Sequence, residues 1–225
     1  MAAYDLEEQE QLAEIKAWWK RWGNLVTGVV TALALGVLAW QAWGWHQARQ
    51  AAGASGVYAV LQRAALERDM QKTKTAAGEL IEKFGGTAYA PLGALIAAKS
   101  FYDAGDLKSA KAQLAWVAEN GKDELRDLGR LRLAAVLLDE QAYDEALKVL
   151  ASSHEPAFDT RYAEMRGDVF IAQGRREEAA AAYREALAGL ERNAQGQGNT
   201  LQAREMNAPY REMVQLKLDA TGVAK

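Results

Sequence analysis

The chain has 225 residues, of which half are hydrophobic and a quarter are charged, so a disordered chain is excluded and one domain fits beside a membrane segment. The formal net charge of −3 argues against nucleic-acid binding, which needs a basic surface to replace counterions. The lack of cysteine excludes disulfides, thiolate metal sites and cysteine nucleophiles, and it fits an oxidising compartment. Long stretches of strong helix formers predict an all-α fold.

Residues 1–21 are predicted to form a short cytoplasmic segment. Leu12, Ile15 and Trp19 lie at helical spacing, with acidic and basic residues elsewhere around the axis. Two interpretations remain open. The segment is either a short helix lying at the membrane interface or a frayed extension of the helix that follows.

Residues 22–45 are predicted to form a transmembrane helix that contacts membrane lipid. No Asp, Glu, Lys or Arg occurs in this stretch, and a span needs about 20 mainly apolar residues. Tryptophans flank both ends, and indole prefers the membrane–water interface. We expect the following residues to anchor the helix at the two interfaces: Trp18, Trp19, Lys20, Arg21, Trp22, Trp40, Trp43 and Trp45.

The direction of this helix follows from the nearby cations. Lys16, Lys20 and Arg21 precede the apolar stretch, and only Arg49 follows it closely. The positive-inside rule therefore predicts a cytoplasmic N-terminus and, in a bacterium, a periplasmic C-terminal part. A cleaved signal peptide is the competing interpretation. Signal h-regions run about 7–15 residues and begin near the N-terminus, which favours an uncleaved anchor here.

The rest of the chain predicts a linker and a helical-repeat domain. Residues 46–56 are the linker, because they contain the sequence Gly53-Ala54-Ser55-Gly56. Residues 57–220 contain a repeat in which Ala110, Ala146 and Ala179 are separated by about 36 and 33 residues, close to the tetratricopeptide period of 34. Gly105 is expected to end the first helix of one repeat and Gly174 that of another.

These spacings predict a solenoid of helix pairs whose last apolar face is covered by a capping helix. The repeats are expected near residues 57–90, 91–126, 127–159 and 160–192, and the capping helix at 201–220. Small residues are expected where backbones approach, with aromatic and leucine side chains between them.

The chain also resembles a known family. The features that carry the resemblance are a short acidic N-terminus, a single span, an alanine-rich first helix, degenerate tetratricopeptide units and the segment from Glu82 to Leu92, of which Tyr89-Ala90-Pro91-Leu92 is the most specific part. Over essentially the whole length these features resemble the YfgM-like ancillary subunits of the SecYEG translocon.

This resemblance implies a single-pass protein of the bacterial inner membrane whose repeat domain lies in the periplasm. It implies association with the SecYEG translocon and with the membrane-anchored chaperone PpiD, and a role in handling newly exported client proteins. It brings no catalytic motif and no cofactor.

The residues themselves give no sign of catalysis. The two histidines, His46 and His154, are far apart in sequence, and neither an HExxH motif nor a phosphate-binding loop occurs. We therefore expect no enzyme activity, no metal site and no cofactor.

Binding is expected on the wall formed by the first helix of each repeat. This wall is predicted to be a groove for an extended or helical partner segment, unless its apolar members are core or are covered by the capping helix. Polar changes at Leu131 and Leu138 are expected to weaken partner binding without unfolding the domain. The candidate groove residues are Lys99, Tyr102, Leu128, Leu131, Leu138, Arg161, Glu164, Asp168 and Ile171.

The leading functional interpretation is an interaction scaffold at the export channel. A holdase that binds unfolded periplasmic clients directly is an alternative, and an envelope-assembly or cell-division scaffold is another.

Overall fold

The computed structural model describes the backbone of residues 2–196 and 201–223 and the side chains of residues 11–192 and 207–223. Within these ranges all regular structure is helical. Backbone contacts divide the chain into two compact units, Met1–Ala52 and Gly53–Lys225. The helices are α1 (Ala2–Leu66), α2 (Met70–Phe84), α3 (Tyr89–Asp103), α4 (Leu107–Asn120), α5 (Asp123–Asp139), α6 (Tyr143–Leu150), α7 (Asp159–Ala172), α8 (Arg176–Gly196) and α9 (Leu201–Ala220), with a 3₁₀ turn at Pro156–Phe158 before α7.

The first unit consists of the N-terminal part of α1, which in the described residues is the one helix long and apolar enough to cross a bilayer. The stretch from Trp22 to Trp43 rises roughly 31 Å at 1.5 Å per residue, close to a hydrocarbon thickness of about 30 Å. Leu33 and Val37 are 66% and 64% exposed, and none of the described side chains buries the most apolar part of the helix. This geometry fits a single membrane span.

The predicted linker at residues 46–56 is helical in the structure, because α1 continues to Leu66. The glycine at position 53 serves packing and does not break the helix. A Cβ atom added to Gly53 would lie 2.9 Å from Cε1 of Phe84, so glycine permits close contact with the end of α2. The neighbouring alanines are strong helix formers, which offsets the cost of about 1 kcal/mol for a glycine in a helix.

The second unit stacks helices in antiparallel pairs. The end of α1 pairs with α2, α3 with α4, α5 with α6 and α7 with α8, and the first helices of successive pairs contact one another. The repeated alanines Ala110, Ala146 and Ala179 are fully buried where the helices meet. At Gly167 an added Cβ would lie 2.4 Å from Cε1 of Tyr183, so only glycine allows α7 and α8 to approach this closely.

Every first helix of a pair ends in the same backbone motif. In α3 the Gly105 N–H donates to the Tyr102 carbonyl and the Asp106 N–H donates to the Phe101 carbonyl, both at 2.9 Å. These two bonds satisfy carbonyls that would otherwise lack a partner at the helix end. The same pair of bonds follows α1, α5 and α7. The residue in the left-handed conformation is Arg68, Gly105, Gln141 or Gly174, with φ of 57°, 79°, 60° and 75°.

Two of these four positions lack the glycine that the left-handed conformation favours. A non-glycine residue there costs about 1–2 kcal/mol. We expect Gln141→Gly to stabilise the domain by about 1 kcal/mol, because it removes this cost at a position whose side chain is exposed. Thermal unfolding of the full chain in detergent, followed by circular dichroism, should show a rise of about 2–4 °C. Gly105→Ala should lower the midpoint, and equal shifts for both variants would contradict this account.

Candidate partner-binding groove

An open groove lies between the C-terminal turns of α1 and helices α3 and α5, all in the second unit. Its larger part has a volume of about 690 Å³. A smaller part of about 400 Å³ continues between α3, α4 and α5. Both parts are lined by Leu95, Lys99, Asp103 and Arg132, so they adjoin one another, and together they are called the trough. The floor of the larger part is apolar and consists of Leu66, Leu92, Leu95, Ile96, Leu125 and Leu128.

Polar side chains form the rim of this groove. Lys99 Nζ donates to Asp103 Oδ2 at 2.7 Å within α3. Tyr102 Oη donates to Asp139 Oδ2 at 2.5 Å and so links α3 to α5. This hydrogen bond and the negative charge of Asp139 raise the pKa of the Tyr102 phenol. Tyr102 therefore remains a neutral donor, and the carboxylate is the charged partner.

Three of the residues predicted from the sequence line this groove together: Lys99, Tyr102 and Leu128. Leu131 does not line it. Its side chain is 7% exposed and packs in the core cluster formed by α5, α6 and α7, and Leu138 is half-buried against the same cluster. A polar change at Leu131 is therefore expected to destabilise the fold, contrary to the expectation from sequence.

The orientation of α5 about its own axis explains why Leu128 lines the groove and Leu131 does not. Leu125, Leu128 and Arg132 follow each other at spacings of three and four residues, which places them on one face toward the groove. Leu131 lies further around the helix, toward α7. The apolar periodicity of α5 could have located this groove face, but leucines occur on both faces and the sequence does not say which one is covered.

The four candidates on α7 have different surroundings. Glu164 and Asp168 are bound by the capping helix α9. Lys217 Nζ of α9 donates to Glu164 Oε1 at 2.6 Å and to Asp168 Oδ2 at 2.7 Å. Arg161 and Ile171 are exposed and line neither part of the groove. The wall of first helices is thus open at α1, α3 and α5 and is covered by α9 at Glu164 and Asp168 of α7.

Two tyrosines, one from α9 and one from α8, donate to the same two carboxylates of α7. Tyr210 Oη donates to Glu164 Oε2 at 2.5 Å, and Tyr183 Oη donates to Asp168 Oδ1 at 2.8 Å. Burial alone would lower the pKa of Lys217, but its hydrogen bonds to Asp168 and Glu164 outweigh burial and raise this pKa. Burial and the hydrogen bond to Glu164 raise the pKa of Tyr210. Val214 and Leu218 of α9 add apolar contacts in the same cluster.

A buried polar cluster fastens the loop before α7. Asp127 is fully buried and accepts from the Glu155 N–H at 2.9 Å and from Arg130 Nη1 and Tyr162 Oη at 3.3 Å. Burial and the charge of Asp127 raise the pKa of Tyr162 to about 12. His154 stacks on the Tyr162 ring, with centroids 3.8 Å apart, and its side chain is 18% exposed. No motif or spacing in the sequence predicts this cluster.

The interface residues predicted around the span are exposed along the N-terminal part of α1. The six tryptophans are between 44% and 82% exposed. The guanidinium of Arg21 lies 5.9 Å from the centre of the Trp22 ring, and that of Arg49 lies 5.3 Å from the centre of the Trp45 ring. Lys20 is exposed as well. In the part of the chain whose side chains are described, no group of three or more His, Asp or Glu is placed to hold a metal ion.

Comparison with known proteins identifies the family. Residues 16–223 match the family described as tetratricopeptide repeat-like domain. A Neisseria gonorrhoeae protein named ancillary SecYEG translocon subunit is 31% identical over 98% of this chain and 99% of its own length. This chain belongs to the family of ancillary SecYEG translocon subunits.

Other members of the family carry the same name. The Haemophilus influenzae protein is 32% identical over 76% of this chain and 84% of its own. The Escherichia coli protein is 28% identical over 78% of this chain and 85% of its own. A solved structure, the MamA RS-1 ArsTM double mutant, covers 75% of this chain and 94% of its own at 18% identity and a TM-score of 0.44, a likeness too weak to extend the assignment. The all-α repeat fold and the family predicted from the sequence are thus confirmed.

The contact between α9 and α7 gives a test of the cap. We expect Lys217→Met to destabilise the domain by about 1–2 kcal/mol, because it leaves Glu164 and Asp168 without their cation. The expected loss of unfolding free energy is smaller than for a fully buried ion pair, because the Lys217 side chain is 31% exposed and solvent screens its charge. Urea unfolding of the full chain in detergent measures the effect, with Lys148→Met, an exposed lysine outside this contact, as the control.

The same contact has a pH dependence of known sign. Lys217 and Tyr210 have pKa values raised above their ordinary 10.5 and 10.0, so their contribution is fully present below about pH 10 and is lost as the pH rises through the raised values. The unfolding free energy of the wild type should therefore fall above pH 10 more steeply than that of Lys217→Met. Parallel pH profiles would show that Lys217 contributes nothing to the cap.

Proposed function

We propose that this protein is a membrane-anchored, non-catalytic scaffold of the SecYEG translocon in the bacterial inner membrane. The observation that carries the proposal is the 98% and 99% mutual coverage with the Neisseria gonorrhoeae ancillary subunit. A relationship of this extent includes both the apolar helix and the repeat domain, which are the two parts that such a scaffold requires.

The repeat domain of this scaffold lies in the periplasm. This orientation is supported by Lys16, Lys20 and Arg21 before the span, against Arg49 alone close after it. A chain without cysteine also suits an oxidising compartment. The tryptophans at both ends of the span hold it at the lipid interfaces.

The groove is the part of the scaffold that binds protein partners, namely a PpiD-like membrane-anchored chaperone and newly exported clients. Support for this role comes from its apolar floor, its openness and its position away from the α9 contact. First helices that lie side by side provide a surface on which a partner segment can lie in extended or helical form. The span supplies a second contact with membrane-embedded translocon subunits.

Site-specific photocrosslinking in native membranes tests the partners. A photoreactive residue at Leu33 in the span is expected to capture translocon subunits, and one at Leu66 in the groove is expected to capture the chaperone or exported proteins. The same residue at Lys148 on α6 serves as the control. Recovery of no translocon subunit from either test position would refute the proposal. Heterogeneous unfolded clients alone would favour the holdase, and cell-wall or division proteins alone would favour the envelope scaffold.

The orientation has a separate test that uses the absence of native cysteine. Two single-cysteine variants, Gln11→Cys and Lys148→Cys, are treated in intact spheroplasts with a membrane-impermeant maleimide. Cys at position 148 is expected to react at once and Cys at position 11 only after the membrane is permeabilised. The opposite pattern would place the repeat domain in the cytoplasm.

A further inference from the structure

Four charged side chains line the groove, and three of them are already engaged. Lys99 and Asp103 pair with each other at 2.7 Å, and Asp139 accepts a hydrogen bond from Tyr102. Arg132 is exposed and lines both parts of the groove. Within the described side chains it has neither a hydrogen bond nor an ion pair. Arg132 is therefore the one charged side chain of this lining that has no hydrogen bond or ion pair with the described residues, and it is free to pair with a ligand.

Arg132 lies where the two parts of the groove meet. On one side of this junction the floor is formed by residues such as Leu92, Leu125 and Leu128. On the other side it is formed by Leu114 and by apolar residues of α5. A ligand that fills the trough therefore has apolar groups on both sides of the group that meets Arg132. An anionic lipid carries its charge at one end of its acyl chains, so it does not place apolar groups on both sides of a charged group.

A protein segment does match it. From Leu92 to Tyr102 helix α3 rises roughly 15 Å, which accommodates about four or five residues in extended form or three helical turns. Since the trough continues past Arg132 in both directions, the group at the junction belongs to an internal residue of the segment and not to a chain end. Asp139 at the far side of the smaller part repels a second acidic residue there.

A carboxylate is the group that Arg132 recognises best. The planar guanidinium donates two parallel N–H bonds to a carboxylate, which a lysine ammonium does not. An ion pair flanked by apolar contacts is partly shielded from water, so it discriminates more strongly than an exposed surface pair.

We infer that the groove binds a short apolar segment of a partner protein that carries one internal Asp or Glu, and that Arg132 selects this segment by pairing with its carboxylate. The inference rests on the proposed function, since it specifies the chemistry of the partner segment for the same groove. Apolar side chains on either side of the acidic residue pack on the leucine floor.

A selection with displayed peptides tests this recognition directly. Random twelve-residue peptides are selected on the full chain held in phosphatidylcholine nanodiscs. Wild-type protein is expected to enrich an Asp or Glu between apolar residues. Arg132→Glu should replace the acidic residue by Lys or Arg in the enriched peptides, and Arg132→Lys should weaken binding of the wild-type peptides. Arg176→Glu, a charge reversal at an exposed arginine of α8 outside the groove, should leave the selection unchanged.

The quantitative readout uses one enriched peptide synthesised with Glu and with Gln at the selected position, both with amidated C-termini. Wild type is expected to bind the Glu form more tightly by roughly tenfold, about 1.4 kcal/mol, and Arg132→Glu should abolish this difference. No enrichment of peptides, enrichment without an acidic residue, or an unchanged preference in Arg132→Glu would overturn the inference. A requirement for a free C-terminal carboxylate would assign the site to chain ends and would likewise refute it.

Folding and function are separated in this design. Arg132 is exposed, so the circular-dichroism melts of its variants should match that of wild type. The selection contains no translocon, and its failure therefore leaves the proposed translocon association standing. Conversely, retained peptide selection with no translocon crosslinks would refute the translocon association alone.

Discussion

The left-handed residue that ends each first helix determines how the repeat domain is built. At Arg68, Gly105, Gln141 and Gly174 the chain leaves one helix and begins the next within a few residues, with two backbone hydrogen bonds that use the last carbonyls. A turn of fixed geometry repeated at near-constant spacing stacks the pairs in one direction. The first helices then lie beside one another, and their shared face provides the groove.

The groove and the cap are two outcomes of this stacking. Each helix pair leaves an apolar face that the next pair covers. The apolar face of the α7/α8 pair is covered by the single helix α9. Here the chain uses charge as well as apolar contact, because Lys217 lies between Glu164 and Asp168. At the other end, between α1, α3 and α5, none of the described helices fills the trough, and Arg132 has no partner among the described residues. The two ends of the same wall therefore differ in what is still free to bind.

A feature of the fold is predictable from the sequence where the structure restricts the residue type at a position. The period of the alanines and the glycines at 105 and 174 were sufficient for the repeats, because small residues and left-handed turns restrict the choice of residue. The equivalent turns at Arg68 and Gln141 have no glycine, so the sequence pattern does not predict them. The α9 bounds, 201–220, coincide with those expected for a cap. The linker expected at Gly53 is helical, because a glycine that gives room to the Phe84 ring has the same appearance in sequence as one that breaks a helix.

The candidate site was predicted only in part, for related reasons. Lys99, Tyr102 and Leu128 were placed on the groove, but Leu131 faces the core. A repeat helix has two apolar faces, one toward the second helix of its own pair and one toward the groove. An apolar residue can lie on either face. The role of Arg132 depends on the partners that its neighbours have already taken, and this information exists only once the chain is folded. The buried Asp127 is another case, since two of its partners, the Glu155 N–H and the Tyr162 hydroxyl, lie 28 and 35 residues away in sequence.

The charged contact of α9 has a consequence for the growth of assemblies. A solenoid whose last pair is uncovered presents at one end a surface complementary to the side of a further helix, and such head-to-tail contacts do not close on themselves. Without α9, the alanine and tyrosine surface of α7 and α8 would be available to another molecule, and filaments could grow from it. Two carboxylates with an internal cation also make the end selective, because an incoming helix without a lysine at the matching position would bury unpaired charge. Because α9 covers this surface, the last pair does not present it to a second molecule.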